Sequence, residues 1–234
     1  MKNKWRVVFV LCAIFLIFFC VNNKTKINIT KTKDKAIIGT ENKKENNNVE
    51  KQKNTSNNNI VTNSNIIGKI TINNTSINEN IVQGNDNDYY LNHSITGEKS
   101  SIGSTFLDYR NKKYDRKIII YGHNSKTVKN LPFHDLEKYL DKSFYESNKY
   151  INLNLFQESS KWEIFSVMIV EGNYHMKLSF NDEEWIKHIN WMKNNSVFNT
   201  DINIDQHDKV LTLQTCYYKP ENSYLLINAK KIGG

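Results

Sequence analysis

The segment Val210-Leu-Thr-Leu-Gln-Thr-Cys216 decides how the rest of the chain is interpreted. Its first four residues form an apolar run of strand-favouring character, and polar residues 206–209 precede it. Cys216 ends the run, and Pro220 marks a turn soon afterwards. The pattern predicts a buried β-strand that carries one thiol to the end of a sheet.

A second apolar run, Lys117-Ile-Ile-Ile-Tyr121, ends in Gly122 and His123. It predicts another buried strand, followed by a glycine turn and an imidazole. A thiol at one strand end and an imidazole at another are the components of a cysteine nucleophile and its acid/base partner. The five other histidines follow no comparable strand and turn, so His123 is the candidate partner of Cys216.

Five segments of the chain resemble one enzyme family. Tyr121-Gly-His-Asn124 and Thr212-Leu-Gln-Thr-Cys216 are similar to the two signature segments of the sortases, the transpeptidases of Gram-positive cell surfaces. Three further segments resemble core segments of class B sortases, in the family's order: Val82–Leu91, Gly103–Asp108 and Phe133–Tyr139. The similarity extends from about Ile66 to Ile232, which is nearly all of the predicted folded region.

The resemblance implies that Cys216 is the nucleophile and His123 the acid/base. Its third expected residue is an arginine on the strand after the cysteine. Here that position is occupied by Tyr224, or by Ser223 if the loop is shifted by one residue. Three interpretations stay open. Tyr224 donates one neutral hydrogen bond where the guanidinium would donate two charged ones, a cation from elsewhere supplies the charge, or the protein binds its peptide without turnover. The candidate cations are Lys219, Arg110 and Arg116.

The resemblance also implies a groove for a peptide substrate. Asn87 and Leu91 match groove residues of class B, although a loop cap and a core leucine are the alternative interpretations. Tyr121, Gln214 and Thr215 adjoin the proposed catalytic pair, and Gln214 replaces a serine that is common in the family. Neither a cofactor nor a metal site is predicted, because acidic residues are scattered and no His/Cys ligand spacing occurs.

The expected fold class is mainly β. Many short strand patterns with a few inserted helices predict a closed or half-closed barrel, and the resemblance implies the eight-stranded sortase barrel with a long helix before the cysteine strand. The predicted strands are 66–72, 77–83, 104–109, 117–121, 150–156, 161–170, 210–216 and 224–230. The predicted helices are 131–139, 142–149 and 182–193, the last with apolar residues at helical spacing.

Composition restricts the rest of the chain. Its 234 residues suffice for one domain with appendages, and a hydrophobic content of 38% indicates that part of the chain lies outside a core. The formal net charge of +8 is compatible with an anionic membrane surface or acidic wall polymers. Lysines are dispersed among asparagines without a nucleic-acid-binding motif, so no nucleic-acid partner is expected.

The amino-terminal residues predict a membrane anchor. Residues 1–21 combine early basic residues with an uninterrupted apolar run, which contains Cys12 and Cys20 and lacks a small-residue cleavage site. Residues 22–65 are rich in Asn and Lys and predict a flexible stalk. Residues 66–234 form the predicted catalytic domain. The expected localisation is a single-pass membrane protein with an extracellular domain.

The resulting hypothesis is a membrane-anchored cysteine transpeptidase. It would cleave an Asn-Pro-x-Thr-like sorting signal of surface proteins and pass the acyl group to an amine of a peptidoglycan precursor or a pilin. The alternatives are a sortase-like module that binds such peptides with weak or no activity, as Tyr224 suggests, and a cysteine peptidase that uses water as acceptor.

Overall fold

Eight strands close into a barrel in the computed structural model, which describes residues 65–234. The strands are β1 (Ile66–Ile72), β2 (Asn78–Gln83), β3 (Thr105–Leu107), β4 (Lys117–Tyr121), β5 (Tyr150–Leu155), β6 (Glu158–Glu171), β7 (Val210–Tyr217) and β8 (Ser223–Gly233). Around the barrel the order is β1-β2-β3-β4-β7-β8-β6-β5, and β5 pairs with β1. The predicted fold class is confirmed.

Two strand pairs are parallel, β2–β3 and β4–β7, and the remaining pairs are antiparallel. The parallel pair β4–β7 matters for function because it brings the carboxyl ends of two distant segments to the same end of the barrel. Lys117 lies beside Val210, and Tyr121 lies beside Gln214.

Helices occupy the connections. α1 (Lys142–Ser147) follows a 3₁₀ segment at His134–Leu140, which replaces the predicted helix 131–139. α2 (Asp182–Asn194) is the long helix predicted before the cysteine strand. Asn181 starts it with a capping box, since its side chain accepts from the Glu184 amide and the Glu184 carboxylate accepts from the Asn181 amide. A short 3₁₀ helix, Tyr89–Leu91, was not predicted.

Strand alternation divides the apolar residues into two cores. The inner core fills the barrel and includes Ile118, Ile120 and Leu213. The outer core lies between α2 and the outer face of β4, β6, β7 and β8, where Ile119 packs in the same cluster as Trp185. Residues of alternate parity along these strands therefore face either the barrel interior or the surface that α2 partly covers.

The predicted anchor at residues 1–21, and all but the last residue of the predicted stalk at 22–65, lie outside the described residues. These assignments stay predictions, as does the domain start at residue 66. Within residues 65–234, no helix is long and apolar enough to cross a membrane.

Candidate functional site

The strand register places Cys216 between His123 and Tyr224. The β4–β7 pairing ends at Tyr121 beside Gln214, and the Gly122 amide extends it by donating to the Gln214 carbonyl at 3.2 Å. Continued by two residues, this register would bring His123 to the level of Cys216 on the adjacent strand. On the other side, Tyr224 of β8 is the direct antiparallel partner of Cys216.

These residues also share a face. Along β7, Leu211, Leu213 and Tyr217 pack into the inner core, so Cys216, of opposite parity, faces outward. Along β8, Tyr224 packs against the outer core. Tyr121, two residues before His123, also packs against the outer core, so the ends of three consecutive strands of the barrel meet at one end of the outer face.

Cys216 is partly exposed and is the free cysteine among the described residues. Burial raises the pKa of its thiol above the ordinary value, and the nearby Tyr218 hydroxyl opposes that rise. The thiol therefore needs a partner that takes its proton before it can attack as a thiolate.

His123 is held by two segments that precede β3. Its Nε2 lies 2.6 Å from the Leu91 carbonyl oxygen. Because a carbonyl oxygen only accepts, Nε2 carries the proton in this bond, and Nδ1 is the acceptor of the neutral ring. Gly103, at φ +62°, lies beneath the ring, and a Cβ there would come within 2.7 Å of His123 Cδ2. The arrangement fixes the imidazole while leaving one nitrogen to exchange a proton.

Asn124 ties the histidine turn to the cysteine strand. Its side-chain amide donates to the Cys216 carbonyl at 3.2 Å and also to the Glu137 carboxylate. Its side-chain oxygen lies 2.8 Å from His134 Nδ1. Asn124 is 3% exposed, so these bonds are shielded from water and set the distance between the two catalytic candidates.

A cleft of about 680 Å³ opens beside Cys216 on the β8 side. Its walls come from the ends of β6 and β7, the start of β8 and the loops between them: Glu171, Gly172, Asn173, Cys216, Tyr218 and Tyr224 line it. His123 lies on the β4 side of Cys216, away from this cleft. A peptide bound in the cleft would therefore approach the thiol from the β8 side, and the imidazole would lie on the opposite, β4 side of Cys216.

Of the predicted groove residues, Leu91 and Gln214 lie near the catalytic candidates, whereas Thr215 points inward. Leu91 is 41% exposed beside His123. Gln214 lies on the outer face near Cys216, and its buried Oε1 has no hydrogen-bond partner within residues 65–234. Thr215 is buried on the inner-facing side, and its hydroxyl donates to the Gly122 carbonyl at 2.8 Å. Its side chain thus serves the β4–β7 contact.

Asn87 and Tyr121 meet at Asp108 instead of at the cleft. The Asn87 amide donates to Asp108 Oδ2 at 3.1 Å, and the Tyr121 hydroxyl donates to the same oxygen at 2.8 Å. Arg110 adds bonds to both oxygens of this carboxylate, at 2.9 and 2.7 Å. Burial alone would raise the pKa of Asp108, but these donors hold it below the ordinary value.

Two of the three cations considered as substitutes for the family's arginine already pair with carboxylates. Arg110 is paired with Asp108 and also donates to the Met176 carbonyl. Arg116 pairs with Asp182 at 2.8 Å and precedes β4, at the opposite end of that strand from His123. Lys219 is exposed in the loop after β7. Neither arginine is positioned to take the place of the family's arginine beside Cys216.

Sequence reasoning missed three residues of this site: Asn124, Tyr218 and Gly103. Asn124 lies inside the quoted signature segment, so its position was a usable signal. The contact between Tyr218 and Cys216 depends on the path of the loop after β7, for which the sequence has no pattern. Within residues 65–234, no group of His, Cys, Asp or Glu side chains is arranged to hold a metal ion.

Comparison with known proteins identifies the family. A sequence model of the sortase domain matches residues 70–232. The chain belongs to the sortase family. It is 35% identical over 158 residues to sortase B of Listeria monocytogenes, which covers 66% of this chain and 63% of that protein. It is 33% identical over 176 residues to sortase B of Staphylococcus aureus, which covers 73% of this chain and 71% of that protein.

Solved structures agree with this assignment. The chain is similar to the crystal structure of Clostridium perfringens sortase B, with a TM-score of 0.68, 34% identity and coverage of 72% of this chain and 94% of that one. It is also similar to a Staphylococcus aureus sortase B–substrate complex, with a TM-score of 0.67, 32% identity and coverage of 73% and 81%. The resemblance to class B sortases is thus confirmed, while the matched part of the chain spans 63% of the Listeria protein.

Proposed function

We propose that the protein is a cysteine transpeptidase that cleaves a sorting signal and transfers the acyl group to an amine. The observation that carries this proposal is the parallel β4–β7 register, which brings His123 and Cys216 to adjacent strand ends on one face. Membership of the sortase family supports it.

In this mechanism His123 accepts the thiol proton and the Cys216 thiolate attacks the carbonyl carbon of a threonine-type residue. The carbon–nitrogen bond breaks, and the imidazolium donates its proton to the leaving amine. A thioester on Cys216 remains. An incoming amine attacks the thioester, loses a proton to His123 and releases the thiolate.

The proposed substrates are secreted surface proteins with an Asn-Pro-x-Thr-like signal, and the proposed acceptor is a peptidoglycan-precursor or pilin amine. Residues 1–21 would anchor the chain in the membrane with the catalytic domain outside the cell. The cleft beside Cys216 has the size of a small-ligand or short-peptide site. Asn87, Leu91, Tyr121, Gln214 and Thr215 are proposed to build or border the substrate groove, the first and third by supporting its loops.

A second candidate function is peptide binding with little or no turnover. The observation that favours it is Tyr224, which occupies the position beside Cys216 where the family has arginine. Loss of one oxyanion donor costs on the order of a hundredfold or more in rate. This candidate predicts normal peptide affinity with slow or absent thioester formation.

The deciding experiment mixes the full-length chain in detergent with fluorogenic sorting peptides, with and without an amine acceptor. Thioester formation on Cys216, followed by amine-dependent product, supports transpeptidation. A thioester that yields the same product at the same rate without the amine indicates a hydrolytic peptidase. Peptide binding without thioester supports the second candidate. Cys216→Ala and His123→Ala are the negative controls.

A further inference from the structure

Two tyrosines flank Cys216, and they differ in what their hydroxyls contact. Tyr224 is opposite Cys216 in the β7–β8 ladder, its ring packs against the outer core, and its hydroxyl forms no hydrogen bond within residues 65–234. Tyr218 lies two residues beyond Cys216, and its hydroxyl donates to the Asn124 carbonyl at 3.0 Å. Tyr218 and Cys216 line the same cleft, and Asn124, whose carbonyl accepts from Tyr218, also donates from its side chain to the Cys216 carbonyl at 3.2 Å.

The environment of Tyr218 keeps its phenol protonated and oriented. Burial and the neighbouring Cys216 raise the pKa of this phenol, so it stays a hydrogen-bond donor at neutral pH. The Lys126 ammonium lies 5.5 Å from the ring centroid and is paired with Glu221. Lys126 comes from the loop after His123, whereas Tyr218 and Glu221 come from the β7–β8 connection. The phenol thus lies between the loop that follows His123 and the β7–β8 connection.

We propose that the Tyr218 hydroxyl switches its hydrogen bond from the Asn124 carbonyl oxygen to Cys216 Sγ when the thiol loses its proton. No covalent bond changes in this step: the thiol proton goes to His123, and the phenol keeps its own. The driving force is that a thiolate is a stronger acceptor than a neutral carbonyl, because charge-assisted hydrogen bonds are about twice as strong as neutral ones.

With this hydrogen bond, Tyr218 supplies a donor near Cys216 although the family's arginine is absent. The family's guanidinium position is occupied by Tyr224, whose hydroxyl forms no hydrogen bond within residues 65–234, while Tyr218 lines the same cleft as the nucleophile. Tyr218 would stabilise the thiolate with a neutral donor in place of a charge. The inference rests on the proposed role of Cys216 as nucleophile and names a residue to which that function had assigned no part.

The test measures the thiol directly. Cys216 alkylation by iodoacetamide is followed across pH by mass spectrometry of the Cys216 peptide, in the full-length chain, so that Cys12 and Cys20 do not contribute. We expect Tyr218→Phe to move the midpoint of the rate–pH profile upward and to slow alkylation at pH 7 about fivefold to tenfold, the equivalent of one hydrogen bond. Tyr114→Phe, which removes a hydroxyl from a residue 76% exposed and before β4, is the matched control and leaves the profile unchanged.

A purely structural role gives a different result. If Tyr218 only holds the loop, Tyr218→Phe changes the alkylation rate by the same factor at every pH and leaves the midpoint in place, which overturns the proposal. Tyr218→His restores a donor and should return the midpoint to or below that of the wild type; failure to do so also overturns it. Thermal unfolding confirms that each variant is folded.

The result is independent of peptide turnover. A wild type that cleaves no sorting peptide but shows the Tyr218-dependent midpoint refutes the proposed transpeptidase while supporting the thiolate contact. A wild type that cleaves peptides with a midpoint insensitive to Tyr218→Phe supports the transpeptidase and refutes this inference.

Discussion

The outer face of β4 and β7 has two ends that differ in what covers them. At the helix-covered end, defined by Lys117 and His188, α2 packs over the sheet, and Lys117 is 1% exposed. At the open end, defined by His123 and Cys216, the cysteine is partly exposed and a cleft reaches the thiol. The same two strands supply both ends.

Polar groups have opposite properties at the two ends. Lys117 Nζ lies 2.8 Å from His188 Nε2 and has no carboxylate partner among the described residues. Burial, with the nearby charge of Arg110, lowers the pKa of Lys117 to about 7, and burial together with Lys117 lowers the pKa of His188 to about 3. Burial without a carboxylate partner disfavours the charged forms of Lys117 and His188, whereas the partly exposed Cys216 can exchange a proton with a substrate or partner.

The largest expected effect is at the open end. Cys216→Ala removes the proposed nucleophile, so we expect peptide cleavage to fall at least about a thousandfold. The free energy of unfolding should change by less than about 1 kcal/mol, because Cys216 is partly exposed. Steady-state cleavage and urea unfolding test both parts. Cleavage by Cys216→Ala above one tenth of the wild-type rate would contradict the mechanism.

Asp108 connects the two ends, because Arg110 and Tyr121 both depend on it. Asp108→Ala leaves the half-buried Tyr121 hydroxyl and the partly exposed Arg110 guanidinium without their acceptor, and we expect a loss of about 1–3 kcal/mol in the free energy of unfolding. The control is Asp182→Ala, which removes an exposed partner of Arg116 and should cost less than about 1 kcal/mol. Equal losses in urea unfolding of the two variants would show that Asp108 does not organise this region.

Replacing Lys117 tests how much its buried ammonium group changes the free energy of unfolding with pH. An unfolded lysine binds a proton up to about pH 10.4, whereas folded Lys117 releases it near pH 7. The unfolded state thus binds more protons in this window, and stability rises with pH by up to about 1.4 kcal/mol per unit. Lys117→Met should remove this rise and stabilise the protein at pH 7. Urea unfolding at pH 7, 8 and 9 measures it, and identical slopes for the two proteins would refute the assignment.

The smallest expected effect is at Tyr224. Since its hydroxyl forms no described hydrogen bond, Tyr224→Phe should lower kcat/KM for a sorting peptide by about twofold to fivefold at most. Tyr224→Arg should raise kcat/KM, because a guanidinium beside Cys216 would add charged donors. A loss of a hundredfold in Tyr224→Phe would instead identify Tyr224 as the oxyanion donor.

The sequence predicted the elements with strong periodicity best. β1 and β4 have the predicted bounds, and α2 ends one residue beyond its prediction. β6 begins at Glu158 instead of Lys161, because its first residues alternate weakly and pair with β5 through long-range bonds. The segment at His134–Leu140 is wound as 3₁₀, which differs from an α-helix in hydrogen bonding and not in composition.

The site was predictable to the extent that it lies in strand ends. Cys216 and His123 follow apolar runs, so their proximity follows once β4 and β7 are paired. The partners of Asn87 and Tyr121 were not predictable, since the convergence of both on Asp108 depends on a loop between β3 and β4. The predicted buried strand at Lys117–Tyr121 is buried at Lys117 as well, but nothing in the sequence indicates its partner His188 on α2.

The parallel pairing of β4 with β7 has a consequence for how the protein becomes active. The Thr215 hydroxyl and the Gly122 carbonyl that join these strands are 93 positions apart in the chain. Such long-range pairing forms slowly and only after many intervening residues are ordered. A partly folded chain in which β4 and β7 are not yet paired therefore keeps the thiol and the imidazole far apart and is catalytically inactive. In a refolding experiment, recovered peptide cleavage would report barrel closure, whereas recovered helix content would not.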